Sequence, residues 1–121
     1  MFDFEKLTAY HEIRSLNRLI LPELFKLNGK NPYLVDQMKR SSLSTSLNLA
    51  EGVGRSTGPD KKQFYIRARS SIFETVAILH AMEDLGIWEK DFCAEIYLRL
   101  EKISKLILGM IRALKLHKTT L

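Results

Sequence analysis

Along nearly the whole chain, apolar side chains return at steps of three and four, the interval at which one face of an α-helix repeats. Leu7, Tyr10, Ile13, Leu16, Ile20, Leu24 and Leu27 predict a first helix over about residues 3–27. Pro22 falls inside that pattern, and because proline lacks a donor and crowds the carbonyl four residues back, a kink or a detached last turn is expected there. Asn28-Gly29-Lys30-Asn31-Pro32 reads as a loop. A second helix is expected over about 33–53. At about 100° per residue, Gln37, Arg40, Ser41, Ser44, Asn48, Glu51 and Arg55 share one polar arc. Val35, Met38, Leu43, Leu49, Ala50 and Val53 lie opposite, with Ser42 and Ser46 small enough to admit a neighbouring backbone, so this face is expected in the core. Gly52 and Gly54 are expected to end the helix through glycine's access to the left-handed conformation.

Pro59 and Asp60 suit the first turn of a third helix, which the pattern carries to about residue 85 with Gly86 as its stop. Phe64, Ala68, Ser71, Thr75, Leu79, Met82 and Leu85 form its main stripe. Ile72, Phe73, Val76 and Ala77 add apolar groups on other faces, so its second half is apolar nearly all round. A helix of that kind is normally buried on every side, more than four helices supply, and self-association through Ile72, Phe73 and Val76 is the expected remedy. Trp88-Glu89-Lys90-Asp91 leads into a fourth helix with the seam Phe92, Ile96, Leu100, Ile103, Ile107, Met110 and Leu114, while Lys102, Lys105 and Arg112 face water. The tail from His117 to Leu121 is expected to fray. No alternating strand pattern and no internal repeat appear. The chain therefore reads as all-α: one domain over residues 1–121, an antiparallel up-down four-helix bundle that self-associates.

Composition agrees with a folded domain. The chain has 121 residues, enough to bury a core without staples, and its 45% hydrophobic content lies far from that of disordered chains. The lone cysteine, Cys93, cannot form an internal disulfide and reads as a small buried hydrophobe. The N-terminus lacks a signal-peptide pattern, and no apolar run approaches the ~18 residues of a membrane span. A cytoplasmic, non-membrane protein is expected.

Charge adds a lead. Of the net charge of +5, most comes from residues 34–69, where Lys39, Arg40, Arg55, Lys61, Lys62, Arg67 and Arg69 face Asp36, Glu51 and Asp60. Arg55, Lys61 and Lys62 flank the turn between the second and third helices, and Arg67 and Arg69 continue along the third. Phosphate contacts to RNA or DNA through these five residues, with Arg40 as a sixth, are the expected use, set against an ordinary solvated surface.

Other chemistry is poorly supported. His11, His80 and His117 stand singly on different predicted helices, so no metal site is expected. Glu51 and Glu74 are the only carboxylates in suggestive polar company, and ion pairing with Arg40, Arg55 or Arg67 accounts for them better than acid–base work. Gly52-Val53-Gly54-Arg55 follows a helix rather than a strand and lacks the Lys-Ser/Thr pair of a phosphate loop. No cofactor and no enzymatic activity are expected.

The run Gln37-Met38-Lys39-Arg40, Ser44, Asn48-Leu49-Ala50-Glu51-Gly52, Gly54-Arg55, then Phe64, Ala68, Ser71, Glu74 and Leu85-Gly86 resembles the four-helix-bundle family encoded in intervening sequences of bacterial 23S rRNA genes, whose members are often labelled ribosomal proteins. The resemblance spans about residues 2–115 and is most specific at N-x-A-E-G-x-G-R. Thr45-Ser46 stands where the family has Ile-Pro, and Ser70 where it has Gly. The family's motif falls on Gln37, Ser44, Asn48, Glu51, Gly52, Ser71 and Glu74, expected to be architectural. Accessory proteins of diversity-generating retroelements are similar in fold, form pentameric rings, and bind nucleic acid and a reverse transcriptase. The resemblance implies a ring-like homo-oligomer, a pentamer, that contacts nucleic acid, with a protein scaffold, for example one for a reverse transcriptase, as the alternative.

Overall fold

In the computed structural model, which describes residues 1–27 and 29–119, a 3₁₀ turn Asp3–Lys6 precedes four helices: α1 Thr8–Lys26, α2 Pro32–Val53, α3 Gly58–Asp84 and α4 Lys90–Thr119. No strand occurs among the described residues. The first helix expected from the pattern is thus divided at Leu7, whose extended backbone separates the 3₁₀ turn from α1. Helix α1 runs through Pro22 without losing its last turn. Pro32 starts α2, Pro59 lies in the first turn of α3, and the Thr57 hydroxyl caps α3 by accepting from the Asp60 amide at 3.3 Å. Gly86, at φ +67, terminates α3 as expected. Helix α4 continues through His117 to Thr119, where fraying was expected; the last two positions of that tail, and Asn28 of the expected loop, lie outside the described residues.

The helices form a bundle in which α1 packs on α2, α2 on α3, α3 on α4 and α4 back on α1. Leu16, Ile20, Met38, Leu49, Ile72, Leu79, Ile96, Leu100 and Ile103 fill its centre, each essentially inaccessible to water. Residue pairs fix the registers: Ser41 with Thr75 and Ser44 with Ser71 between α2 and α3, Ser15 with Arg99 and Glu12 with Lys102 between α1 and α4.

Three expectations need correction. The buried face of α2 is turned away from Leu43, which is 43% exposed, so that Ser41 and Thr45 lie inside together with the expected Ser42 and Ser46. Helix carbonyls satisfy three of these hydroxyls locally, Ser41 donating to Met38, Thr45 to Ser41 and Ser46 to Leu43, whereas the buried Ser42 Oγ has no hydrogen-bond partner among the described residues. Gly54 caps α2 at φ −78, a right-handed value, so left-handed freedom is not why glycine stands there. Ile72, expected at an oligomer interface, is 1% exposed and belongs to the protomer's own core, with Val76 half-buried against it. Of those three residues only Phe73 is open, at 55%.

Candidate nucleic-acid interface at the α2–α3 turn

Helices α2 and α3 pack more extensively on each other than any other pair, and small side chains make this possible. Gly52 is buried, and a Cβ placed there would lie 2.8 Å from the Tyr65 ring and 2.9 Å from the Phe64 Cβ. The helices therefore touch backbone to side chain at this level. Farther along the seam, Ser44 Oγ and Ser71 Oγ lie 2.9 Å apart, and the Asn48 side-chain amide donates to Ser44 Oγ at 3.0 Å and to the Ser44 carbonyl at 2.9 Å. The Thr75 hydroxyl lies 2.8 Å from Ser41 Oγ and 2.7 Å from the Ser71 carbonyl oxygen. Ser44, Asn48, Gly52 and Ser71 thus join α2 to α3. Gln37 is half-buried, and Glu51 and Glu74 are exposed.

The close approach sets the arginines. Phe64, held against Gly52, carries the Arg55 guanidinium 4.5 Å from its ring centroid and the Arg67 guanidinium 5.0 Å from it. Arg55 follows the Gly54 cap of α2 and Arg67 sits on α3, so one ring gathers cations from both sides of the turn. Arg55 also pairs with Glu51 at 2.9 Å, and Arg67 donates weakly to Gln63 at 3.4 Å. Both pairs are surface contacts that exchange readily with an incoming anion, and the guanidinium fork retains donors beyond those in use. A shallow polar cleft of about 440 Å³, lined by Glu51, Gly54, Arg55, Ser56 and Asp60, opens beside the pair.

The remaining basic residues part company. Lys61 donates to the Val53 carbonyl at 2.7 Å and so caps the C-terminus of α2. Lys62 has no side-chain partner among the described residues. Arg69 lies two positions beyond Arg67, across the helix from it. It donates to Ser104 of α4 at 3.1 Å and covers Phe73 at 5.0 Å. Arg40 pairs with Asp36 at 2.8 Å on the outer face of α2, more than three turns from Arg55. Arg55 and Arg67 meet on Phe64 at one end of the seam, whereas Lys62, two positions before Phe64, lies across α3 from that ring on the side of Arg69, and Arg40 points elsewhere. Phe64's role as a platform escaped the sequence reading, which placed it only on a core stripe. Its signal was available: Arg67 follows it at i+3.

Among the described residues no group of three or more His, Cys, Asp or Glu side chains could hold a metal, and no helix is long and apolar enough to cross a membrane. Cys93 is buried, and burial together with the nearby Glu83 carboxylate raises its pKa, so little thiolate forms near neutrality.

A family model described as 23S rRNA-intervening sequence protein matches residues 5–109, in agreement with the resemblance carried by the motif around Asn48 to Arg55. No curated protein matches the chain.

Proposed function

The chain belongs to the 23S rRNA-intervening sequence protein family, and from that premise we propose that it is a non-enzymatic protein that binds RNA or DNA through phosphate contacts at the α2–α3 turn. The observation that carries this reading is the pair of guanidiniums, Arg55 and Arg67, gathered on the Phe64 ring. A stacked guanidinium has lost much of its rotational freedom before any ligand arrives, so less entropy is lost when its fork meets two phosphate oxygens. Lys62 adds a cation on the same end of α3; Lys61 and Arg69, engaged within the protomer, and Arg40, more than three turns along α2 from Arg55, contribute field more than contacts. The reading is non-enzymatic because Glu51 is taken up by Arg55 and Glu74 stands on an exposed helix face without an acid–base partner among the described residues. A cytoplasmic location goes with it.

The same proposal includes an antiparallel up-down topology, supported by the reversed order of the paired residues along α2 and α3 and along α1 and α4. It also includes a ring-like homo-oligomer, a pentamer by analogy with the related retroelement accessory proteins. Phe73 and Ile66, both exposed on the outer face of α3, supply apolar surface that a second copy would cover. The same exposed residues favour the alternative reading, a scaffold for a protein such as a reverse transcriptase.

Fluorescence anisotropy with structured RNA, single-stranded DNA and duplex DNA at low salt tests the main proposal. Binding should weaken steeply with salt, and Arg55→Ala and Arg67→Ala should each lower the salt slope by about one. No binding of any of the three at low salt would sink it.

A further inference from the structure

Helix α3 spans 27 residues, about 40 Å, and its far end carries the opposite chemistry. Between residues 83 and 95 the chain places Glu83, Asp84, Glu89, Asp91 and Glu95 against one base, Lys90. All five carboxylates are exposed. Among the described residues none of them forms a salt bridge, whereas Glu12, Glu23, Asp36, Glu51 and Glu101 all do. Unneutralised like charges held this close repel one another, a cost that incoming cations offset.

Beside these carboxylates a cleft of about 370 Å³ opens between α3 and α4, lined by Leu79, Ala94, Tyr97 and Leu98, with Glu83 among its lining residues. Leu98 is 63% exposed, and Tyr97 stacks on His80 across the groove with ring centroids 6.3 Å apart. Asp91, Ala94, Glu95 and Leu98 follow one another at helical spacing, so carboxylates and apolar contacts share one face of α4. An apolar cleft bordered by unpaired acids suits a ligand that is itself apolar on one stripe and cationic beside it. Nucleic acid and anionic membranes have the wrong sign.

We propose that the α3–α4 cleft docks a basic amphipathic helix of a protein partner, whose leucine-like side chains enter beside Tyr97 and Leu98 while its lysines or arginines meet Glu83, Asp91 and Glu95. This docking does not depend on nucleic-acid binding at the other end of the bundle.

The probe is a fluorescein-labelled synthetic helix of leucine and lysine, with leucines at i, i+3, i+4 and i+7, read by anisotropy on the full chain beside a companion peptide carrying glutamate in place of lysine. The lysine peptide should bind and the glutamate peptide should not. Leu98→Asp and the double change Asp91→Lys with Glu95→Lys should each weaken binding by about tenfold or more. Glu74→Lys, which alters an exposed carboxylate outside the corner, should leave binding unchanged. Equal weakening by Glu74→Lys would reduce the effect to general charge attraction and overturn the proposal. So would unchanged binding by a Leu98→Asp protein of intact helical circular dichroism. A fall in particle mass on Leu98→Asp would overturn it too, by making the occupant a second copy.

Discussion

Replacing Gly52 with alanine tests the closest approach in the bundle. The added Cβ would lie 2.8 Å from the Tyr65 ring and 2.9 Å from the Phe64 Cβ, while real Cβ contacts essentially never fall below 3.0 Å and ordinary ones start near 3.4 Å. The Phe64 Cβ is fixed to the α3 backbone and cannot rotate away, so α2 and α3 must separate locally by about half an ångström. Overpacking of this kind costs about 1–3 kcal/mol. Against it stands the better helix propensity of alanine, worth about 1 kcal/mol. The Ser44–Ser71 contact of 2.9 Å lies two turns along the same seam and lengthens with the separation, which adds to the loss. The net expectation is destabilisation by about 1–2 kcal/mol, measured by urea unfolding followed by circular dichroism, with the slope unchanged. Gly54→Ala is the matched control: its new Cβ meets nothing closer than a carbonyl at 3.6 Å, and its φ of −78 suits alanine. It should alter stability by less than about 0.5 kcal/mol. If Gly52→Ala proved as stable as the parent, the close approach of the helices would be refuted.

Other expectations follow from the same geometry. Phe64→Leu should keep the fold but release both guanidiniums, weakening nucleic-acid binding more than Lys61→Met does, as read by anisotropy at fixed salt. Thr75→Val should cost about 1–2 kcal/mol by urea unfolding, since it removes a buried hydroxyl bonded across the α2–α3 seam. Phe73→Glu should lower the particle mass in light scattering with the helical signal kept, while Val76→Glu should damage the fold itself because Val76 packs on the core. Burial raises the Tyr65 pKa above its ordinary value near 10, so the unfolded chain releases that proton first. Stability should therefore fall as pH rises from about 10 through the higher folded value, and Tyr65→Phe should flatten that fall.

The four helices and most of their ends were legible in the sequence because proline, glycine and the spacing of leucine and isoleucine are local signals. The orientation of α2 was not. A serine that returns its proton to its own helix, as Ser41 and Ser46 do, behaves in packing as a small neutral residue, yet it counts as polar in any pattern of hydrophobicity. That is why Leu43 was placed inside and Thr45 was not. Ile72 was misread for a related reason: apolar residues on several faces of α3 suggested surface awaiting a partner, while the protomer's own core already covers it. The basic cluster was visible as composition, but its division was not, since Arg69 reaches a serine 35 positions away and Lys61 turns back to a helix end.

The narrow seam between α2 and α3 also bears on how the sequence can change over generations. In the aliphatic core to which Leu16, Ile20 and Leu100 belong, one residue can shrink while a neighbour grows, and the total volume is kept. At Gly52 nothing smaller exists to trade, and along Ser41, Ser44, Ser71 and Thr75 each hydroxyl answers another. Substitutions should therefore accumulate freely around the rest of the core while the gauge of this one helix pair stays constant.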